Sequence, residues 1–335
     1  MLKSITTDQS YAPTSSSIWQ GRNSPPEETE QYWHEIIQLE DLNDLEKNSK
    51  TPQIGIMSYA CDEGVKRNHG RVGSADGPQA ILKQLAKLPV HIKNKTITDY
   101  GTIQCLNGDL ESTQNALAVA TAQRLKQGIF PINVGGGHDI AYATYCGVRD
   151  ALANSTKKSL GILNFDAHFD LRLPVNEPNS GTPFYQILND QSTSLNREYV
   201  VLGIQRQSNT RSLFATAQQH DVVYISNEYC TTDTQHLNAV HTLLDRFIHR
   251  NDYIYLSIDI DAFSSAYAPG VSAPSPQGFD PMFFFKVLDY MLKSPKVIAI
   301  DLAETNPRFD QDNATSRLAA RIIDTIATKL SFKKS

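Results

Sequence analysis

The sequence predicts an α/β fold, a three-layer αβα sandwich around a central, mostly parallel sheet of about eight strands. Short apolar, β-branched runs alternate with helical patterns along the chain, and parallel strands need such long crossover connections. Several runs, such as 160–165 and 253–258, are continuously apolar and do not alternate. Such runs are typical of strands covered on both faces, so we expect helices on both sides of one sheet.

The predicted elements follow one another from residue 53 onward, after a weak helical stretch at 30–40. The strand runs are 53–57, 96–100, 130–134, 160–165, 199–204, 222–225, 253–260 and 297–302. The main helical patterns are 110–127, 140–153, 236–250, 281–292 and 313–330. Because helices and strands alternate in this order, the carboxyl ends of the strands are expected at one edge of the sheet.

The domain organisation is expected to be simple. Length alone would allow roughly two domains, but no internal repeat and no linker follows residue 50. The polar segments 174–182 and 264–278 follow predicted strands directly, which indicates functional loops. The first thirty residues are rich in Ser, Thr and Pro. We therefore predict a polar N-terminal tail at 1–30 and a single catalytic domain at 31–335.

Composition argues against several classes of protein. A net charge of −5 leaves no basic surplus for phosphates, so we expect no nucleic-acid partner. No segment approaches the ~18 uninterrupted apolar residues of a membrane helix, and the N-terminal segment is unlike a signal peptide. The four cysteines lack CxxC spacing, which is typical of reduced thiols. We expect a soluble, cytoplasmic protein.

Acidic residues and histidines follow the predicted buried strands. Alternate residues of an extended chain point the same way, so Asp166, His168 and Asp170 should share one side. Asp259 and Asp261 repeat this spacing after a second strand. Such side chains could singly be solvated strand-end acids or core histidines, because isolated motif matches are often false.

A third strand ends in Gly-Gly-Gly-His-Asp, whose glycines permit a turn that presents His138 over the sheet edge. Taken together, four carboxylates at buried strand ends repel one another and need compensating cations. Oxygen ligands with two imidazoles and no thiolate suit Mn²⁺ better than structural zinc. The sequence therefore predicts a hydrolase that activates water with a pair of divalent ions, for which we expect Mn²⁺.

Four motifs occur in the order and approximate spacing of the ureohydrolase (arginase–agmatinase) superfamily, which the chain resembles over residues 61–307. They are GGGHD at 135–139, DAHFD at 166–170, SIDID at 257–261 and DLAETNP at 301–307. Further segments resemble the formimidoylglutamase branch of that superfamily. These are WQGR at 19–22, CDEGVKRNHGRVG at 61–73, SGTPF at 180–184 and APGVSAP at 268–274.

The resemblance implies an arginase-like fold and a set of metal ligands. For one Mn²⁺ it implies His138, Asp166, Asp170 and Asp259. For the other it implies Asp166, His168, Asp259 and Asp261, so that Asp166 and Asp259 bridge. Asp170 would also orient a bridging hydroxide. Glu304 would bind the substrate's amidine, since a planar N–C–N cation matches a carboxylate in a fork geometry.

The implied reaction is hydrolysis of N-formimidoyl-L-glutamate to L-glutamate and formamide, a step of histidine degradation. This substrate carries two carboxylates, so its pocket should hold cations and hydroxyls beyond the metal site. Arginine suits bidentate carboxylate binding, and the candidates are Arg67, Arg71, Arg172, Ser180 and Thr182. The alternative for these arginines is surface ion pairing with Asp62, Glu63 or Asp76.

Phe184 stands where arginases carry a histidine. That histidine would serve to protonate a basic leaving amine, so its absence argues against an arginase and leaves open how the leaving nitrogen gains its proton. The alternatives are another ureohydrolase that acts on a guanidino acid, a non-catalytic metal-binding pseudoenzyme, and a one-zinc deacetylase of related fold. A homo-oligomer, trimeric or hexameric, is expected from the resemblance alone.

Overall fold

The computed structural model of the chain describes residues 10–28, 31–45, 52–157 and 159–332. Its strands are β1 Tyr11–Ala12, β2 Gln38–Leu39, β3 Gln53–Ala60, β4 Thr96–Gln104, β5 Ile129–Gly135, β6 Ser159–Phe165, β7 Asn196–Ile204, β8 Val223–Ser226, β9 Tyr253–Asp259 and β10 Val297–Ala303. Its α-helices are α1 Trp33–Ile36, α2 Glu63–Arg67, α3 Gly77–Leu85, α4 Leu110–Lys126, α5 Ile140–Leu152, α6 Pro183–Leu188, α7 Arg211–Gln219, α8 Thr234–Arg250, α9 Pro281–Met291 and α10 Ala314–Lys329.

The ten strands that the structure describes form one sheet in the order β1-β4-β3-β5-β10-β9-β6-β7-β8, with β2 beside β4. From β4 to β8 each neighbouring pair is parallel, and β1 alone among the described strands runs antiparallel to its neighbour. The strand runs expected from the sequence coincide with β3 to β10, so the predicted parallel sheet is confirmed. The two extra strands, β1 and β2, have two residues each.

Helices cover both faces of the sheet, as the continuously apolar strands predicted. On β6, Leu163 and Phe165 join a cluster with buried residues of α3, α8, α9 and α10. Their alternate neighbours Leu160 and Ile162 join a second cluster with residues of α5, α6 and α7. Because both faces of the strand are buried, polar residues are best accommodated beyond its ends. The three-layer αβα sandwich is confirmed.

Three of the described helices, α4, α8 and α9, begin at an aspartate whose side chain accepts backbone N–H bonds. Asp109 accepts from Ser112 N at the start of α4 (3.0 Å), and Asp280 accepts from Met282 N at the start of α9 (2.6 Å). These caps satisfy donors that the first helical turn leaves free. None of the described helices is long and apolar enough to cross a membrane.

The described part of the expected N-terminal tail packs on the domain. Trp19 is buried, and its Nε1 donates a hydrogen bond to Asp99 Oδ2 (2.8 Å). Tyr11 pairs with Ile103 of β4 and its hydroxyl donates to Tyr100 O (2.9 Å). An indole buried with its N–H satisfied anchors the segment. The domain boundary at residue 30, a position outside the described residues, stays a prediction.

Candidate metal centre

Four neighbouring strands bring the predicted ligands to one edge of the sheet. β5, β10, β9 and β6 lie side by side in that order, and the four sequence motifs lie at or directly after their carboxyl ends. Open α/β sheets bind ligands at this edge. The sites predicted at separate points of the sequence therefore form one site in the fold.

The ligand atoms form two overlapping groups. In the first group, ligand atoms of His138, Asp166, Asp170 and Asp259 all lie within 4.8 Å of one another, and the same holds for Asp166, His168 and Asp261 in the second. His138 Nδ1 lies 3.1 Å from Asp166 Oδ2, 2.9 Å from Asp170 Oδ2 and 3.1 Å from Asp259 Oδ2. His168 Nδ1 lies 3.4 Å from Asp166 Oδ1 and 3.1 Å from Asp261 Oδ2.

Asp166 belongs to both groups through its two different oxygens, which is the arrangement expected of a bridging carboxylate. Asp259 belongs to the first group only, and its Oδ1 accepts the backbone N–H of Asp261 (2.8 Å). Its predicted contact with a second ion therefore stays a prediction. Asp166 Oδ1 accepts the N–H of His168 in the same way (2.7 Å), so both strand ends turn through an aspartate.

Both predicted catalytic residues have strained backbones. Asp170 has φ 49° and Glu304 has φ 68°, a region that non-glycine residues rarely adopt. The backbone carbonyl of Asp170 accepts a hydrogen bond from Phe184 N (3.2 Å). The backbone N–H of Glu304 donates to Gly136 O (2.8 Å). Such strain persists where the surroundings determine the conformation, and it occurs most often at functional sites.

A chain of hydrogen bonds orients His138. Its Nε2 lies 3.0 Å from Ser257 Oγ, and Ser257 Oγ donates to Asp301 Oδ1 (2.7 Å). Because Ser257 donates its own proton to Asp301, the Ser257 oxygen must accept a proton from Nε2–H of His138. The Nδ1 lone pair of His138 is then free to bind a cation. Neither Ser257 nor Asp301 is among the predicted site residues, although they lie within the SIDID and DLAETNP motifs.

The buried carboxylates and histidines of the two ligand groups shift one another's pKa values. Burial, followed by the charge of Asp166, raises the pKa of Asp170 to about 6. Burial and the charges of Asp261 and Asp166 raise the pKa of Asp259 well above its usual value. Burial lowers the pKa of His138, but the neighbouring carboxylates outweigh it and raise that pKa. These carboxylates need positive charge beside them to be ionised together.

The residues present fit a pair of divalent cations. Asp261 Oδ1 and Glu304 Oε2 are buried oxygens with no hydrogen-bond partner among the described residues. A buried acceptor without a partner is costly unless a cation or a ligand satisfies it. The donor set of carboxylate oxygens and imidazole nitrogens is the set that Mn²⁺ accepts in proteins.

A cavity lies over the ligands. Of the residues predicted to bind substrate, it is lined by Glu304, Arg71, Arg172 and Ser180. The same cavity is also lined by polar residues that are not predicted from the sequence, which are Asn68, His69, Ser208, Asn209 and Ser272. Loop residues of this kind follow no periodic pattern, so only the fold reveals that they meet.

The three predicted arginines lie in different surroundings. Arg172 is exposed at the cavity, and its guanidinium makes no hydrogen bond or ion pair with any residue that the structure describes. Arg67 instead pairs with Glu111 (2.7 Å), with weaker contacts to Glu63 (3.4 Å) and Glu177 (3.5 Å). Arg67 is thus in ion pairs, as the alternative expected, but of the acids named there only Glu63 takes part, and the main partner is Glu111. A substrate role for Arg67 stays a prediction.

Arg71 is held by the loop after β9. Its Nε donates to Ser272 O (3.0 Å) and its Nη2 donates to Val271 O (2.5 Å), while its guanidinium lies 4.0 Å from the centre of the Phe309 ring. Thr182 is fully buried, its hydroxyl lies 2.9 Å from Asn179 O, and it does not line the cavity. These contacts give both residues a part in shaping the loops around the site.

Phe184, which stands where the resemblance to arginases would place a histidine, makes ring contacts with its aromatic neighbours. Its ring stacks on Tyr199 at 4.3 Å between centroids and meets the ring of His138 edge-on at 5.4 Å. Phe184 is fully buried. No proton can be relayed through this side chain, so the source of the proton for the leaving nitrogen stays open at this position.

Asn209 holds the segment between the ligands. Its Nδ2 donates to Ala167 O (2.9 Å) and Gln205 O (2.8 Å), and its Oδ1 accepts from Phe169 N (3.0 Å). Ala167 and Phe169 flank His168, so one buried amide fixes the backbone on both sides of a ligand. Nothing in the sequence analysis singled out Asn209, because a lone asparagine in a loop carries no motif.

Comparison with known proteins gives a consistent result. The model of the arginase family matches residues 52–328. A formimidoylglutamase of Geobacillus thermodenitrificans is 41% identical over 315 residues, which cover 92% of this chain and 94% of that protein. One of Aeromonas hydrophila is 38% identical over 317 residues, covering 93% of this chain and 98% of that protein.

Solved structures agree in fold. Trypanosoma cruzi formiminoglutamase with Mn²⁺ superposes with a TM-score of 0.73 and 25% identity, covering 87% of this chain and 98% of that one. The formimidoylglutamase of Bacillus subtilis, at 22% identity, gives a TM-score of 0.73 over 86% of this chain and 91% of that one. The second likeness, at this identity, concerns the fold alone.

Proposed function

The chain belongs to the arginase family, and from that premise we propose that it hydrolyses N-formimidoyl-L-glutamate to L-glutamate and formamide. The observation that carries the proposal is a pair of ligand groups with a free arginine beside them. It is supported by relatives named formimidoylglutamase that align over nearly the whole chain. The protein would thus act in histidine degradation.

We propose two Mn²⁺ ions as the resident cofactor, since the Trypanosoma cruzi relative is described with two. His138, Asp166, Asp170 and Asp259 would hold one ion. Asp166, His168, Asp259 and Asp261 would hold the other. When bound, such ions supply a water of lowered pKa and positive charge beside the bond to be cleaved.

Glu304 is the group that we assign to the amidine. Its Oε1 accepts the N–H of His138 (3.0 Å), while its Oε2 has no hydrogen-bond partner among the described residues. Burial, followed by the charge of Asp261, raises the pKa of Glu304 to about 8. A cationic amidine beside this carboxylate would favour its ionised form and hold the formimidoyl carbon in place by charge-assisted hydrogen bonds.

Arg172 and Ser180 are the groups that we assign to the carboxylates. Ser180 Oγ accepts from Asn68 Nδ2 (3.1 Å), which leaves the serine proton to donate to an anion. The free guanidinium of Arg172 offers a bidentate site at the same cavity. An enzyme for a cationic amine, such as an agmatinase, would need acids in this place.

Asp170 is the group that we assign to proton transfer. Its Oδ2 lies among the ligand atoms, and it lines the cavity. With Phe184 in the place of a shuttle histidine, a carboxylate next to both water and substrate is the nearest carrier. Asp170 would take a proton from the attacking water and deliver it to the leaving glutamate nitrogen.

A comparison of substrates tests the proposed function. The Mn²⁺-loaded chain is assayed with N-formimidoyl-L-glutamate, arginine, agmatine and guanidinobutyrate, and the product of each is measured. We expect formamide from the first and no urea from the others. Urea from guanidinobutyrate would favour the alternative, a guanidino-acid hydrolase, because Arg172 would suit its carboxylate as well.

A further inference from the structure

Two cysteines lie next to each other at the ends of adjacent strands. β3 and β4 are parallel with Ala60 opposite Gln104, and the next residues are Cys61 and Cys105. Cys105 N donates to Ala60 O (3.1 Å), so the pairing continues to the cysteines. Paired strands lie about 4.8 Å apart, and disulfides span Cα separations of about 4.4–6.8 Å. The backbone thus places the two residues within disulfide range.

The two thiols differ in access and in acidity. Cys61 is fully buried, whereas Cys105 is partly exposed. A hydrogen bond from the Cys61 thiol lowers the pKa of Cys105 to about 7, and the same contact, followed by burial, raises the pKa of Cys61. Burial also raises the pKa of Cys146 to about 11. Near neutral pH Cys105 is therefore the thiol that is both ionised and reachable, with a second thiol as its immediate neighbour.

We propose that Cys105 and Cys61 form an oxidisable dithiol that closes to a disulfide with a small disulfide such as oxidised glutathione, and that closure weakens the metal centre. The Cys105 thiolate attacks one glutathione sulfur, which forms a mixed disulfide and releases one glutathione thiolate. Cys61 then attacks Sγ of Cys105, its proton passes to the leaving glutathione sulfur, and the second glutathione departs as a thiol. Two cysteine sulfurs are oxidised and one glutathione disulfide is reduced.

Cys61 also contacts the turn that carries His138. Its carbonyl accepts the N–H of Gly137 (2.9 Å), and a Cβ built on Gly136 would lie 1.8 Å from that same carbonyl oxygen. The main chain at Cys61 is therefore in close contact with the glycine turn before His138. The Cα separation already suits a disulfide, but closure replaces a thiol–thiol contact with a covalent bond of about 2.05 Å. We expect Cys61 to adjust to that bond, and its hydrogen bond to Gly137 would pass the adjustment on to His138.

The bond itself is tested by peptide mapping. The full chain is incubated with oxidised glutathione, free thiols are alkylated, and unreduced peptides are analysed by mass spectrometry. We expect a peptide that links Cys61 to Cys105, lost on treatment with dithiothreitol. A stable glutathione adduct on Cys105, a link to Cys146 or Cys230, or unchanged thiols would each overturn the dithiol.

The effect on the metal centre is tested by elemental analysis of manganese in reduced and oxidised protein. This part rests on the proposed function, and the reduced protein is the control that tests the metal site alone. We expect at least a twofold loss of bound manganese on oxidation. In Cys105→Ser, oxidation should no longer release manganese. In Cys146→Ser, oxidation should release as much manganese as in the parent protein. An oxidised protein that carries the cross-link and keeps its manganese would overturn the coupling.

Discussion

At the scale of single residues, the state of His138 decides whether the centre can form. Its Nδ1 lies within 3.1 Å of three carboxylate oxygens, and its Nε2 is bonded to Ser257. Ser257 in turn donates to Asp301, whose second oxygen accepts the hydroxyl proton of Tyr255. Three buried groups therefore fix one tautomer of one ligand, and the ligand offers its lone pair in the direction of the other ligands.

We predict that Ser257→Ala weakens manganese binding without unfolding the chain. Losing a hydrogen-bond partner of a ligating histidine costs on the order of 10- to 100-fold in metal affinity. The affinity is measured by titrating metal-free protein and following bound Mn²⁺. Ser294→Ala, a change at another buried serine, should bind manganese as the parent does. Equal affinities for the two variants would contradict the role of Ser257.

Arg172→Met is predicted to raise KM for N-formimidoyl-L-glutamate roughly 10- to 100-fold, with manganese content unchanged. One charge-assisted hydrogen-bond pair contributes about 1.5–3 kcal/mol. The guanidinium has no protein partner among the described residues, so its removal should not destabilise the fold. Steady-state kinetics measure the effect. The matched control is Arg211→Met. An unchanged KM in Arg172→Met would show that Arg172 does not bind the substrate.

At the scale of elements, loops from distant parts of the sequence hold the strand ends in place. The loop between β7 and α7 supplies Asn209, which grips the backbone on both sides of His168. The loop after β9 is gripped by Arg71. The sheet determines where the motifs lie, and these side-chain contacts with main-chain atoms determine how the ligands are presented.

Asn209→Ala is predicted to lower the free energy of unfolding by about 2–4 kcal/mol. It leaves Phe169 N without its partner and removes one of two hydrogen bonds from both Ala167 O and Gln205 O. A buried unsatisfied group alone costs about 1–3 kcal/mol. Urea unfolding of metal-free protein measures the change. Asn189→Ala, whose side chain bonds Tyr185 O near the surface, should change stability by less than about 1 kcal/mol. A change in the free energy of unfolding as small as that of Asn189→Ala would show that the hydrogen bonds of Asn209 do not stabilise the fold.

Sequence reasoning recovered the parts of this protein that repeat a pattern. The apolar runs predicted β3 to β10, and the spacing of Asp166, His168 and Asp170 predicted a shared site. It could not find Asn209, Asn68 or Ser257, since a single polar residue acquires its role only through tertiary contacts. The anchoring of the N-terminal segment was missed for a similar reason, because Trp19 stands alone in a polar stretch.

At the scale of the whole molecule, the sheet brings the acidic strand ends together and the ions hold them there. Buried carboxylates that face one another destabilise the folded state unless cations lie between them. Metal bound only by the folded chain stabilises it by mass action. The fold and its cofactor therefore depend on each other.

We predict that removal of manganese with a chelator lowers the melting temperature at neutral pH by several degrees. Metal at about 100 times its Kd stabilises the folded state by about 2.7 kcal/mol for each site. Scanning calorimetry of loaded and stripped protein measures the difference, and adding Mn²⁺ back should restore it. An identical melting temperature in both states would mean that the carboxylates do not need the ions.

The most direct test of the account is to titrate metal-free protein with Mn²⁺ and measure bound manganese and formamide production in the same samples. A two-ion centre predicts saturation at two ions per chain, with hydrolysis of N-formimidoyl-L-glutamate rising as the second ion binds. In Asp166→Asn both quantities should fall, because Asp166 belongs to both ligand groups. Saturation at one ion, or full hydrolysis in that variant, would contradict the proposed centre.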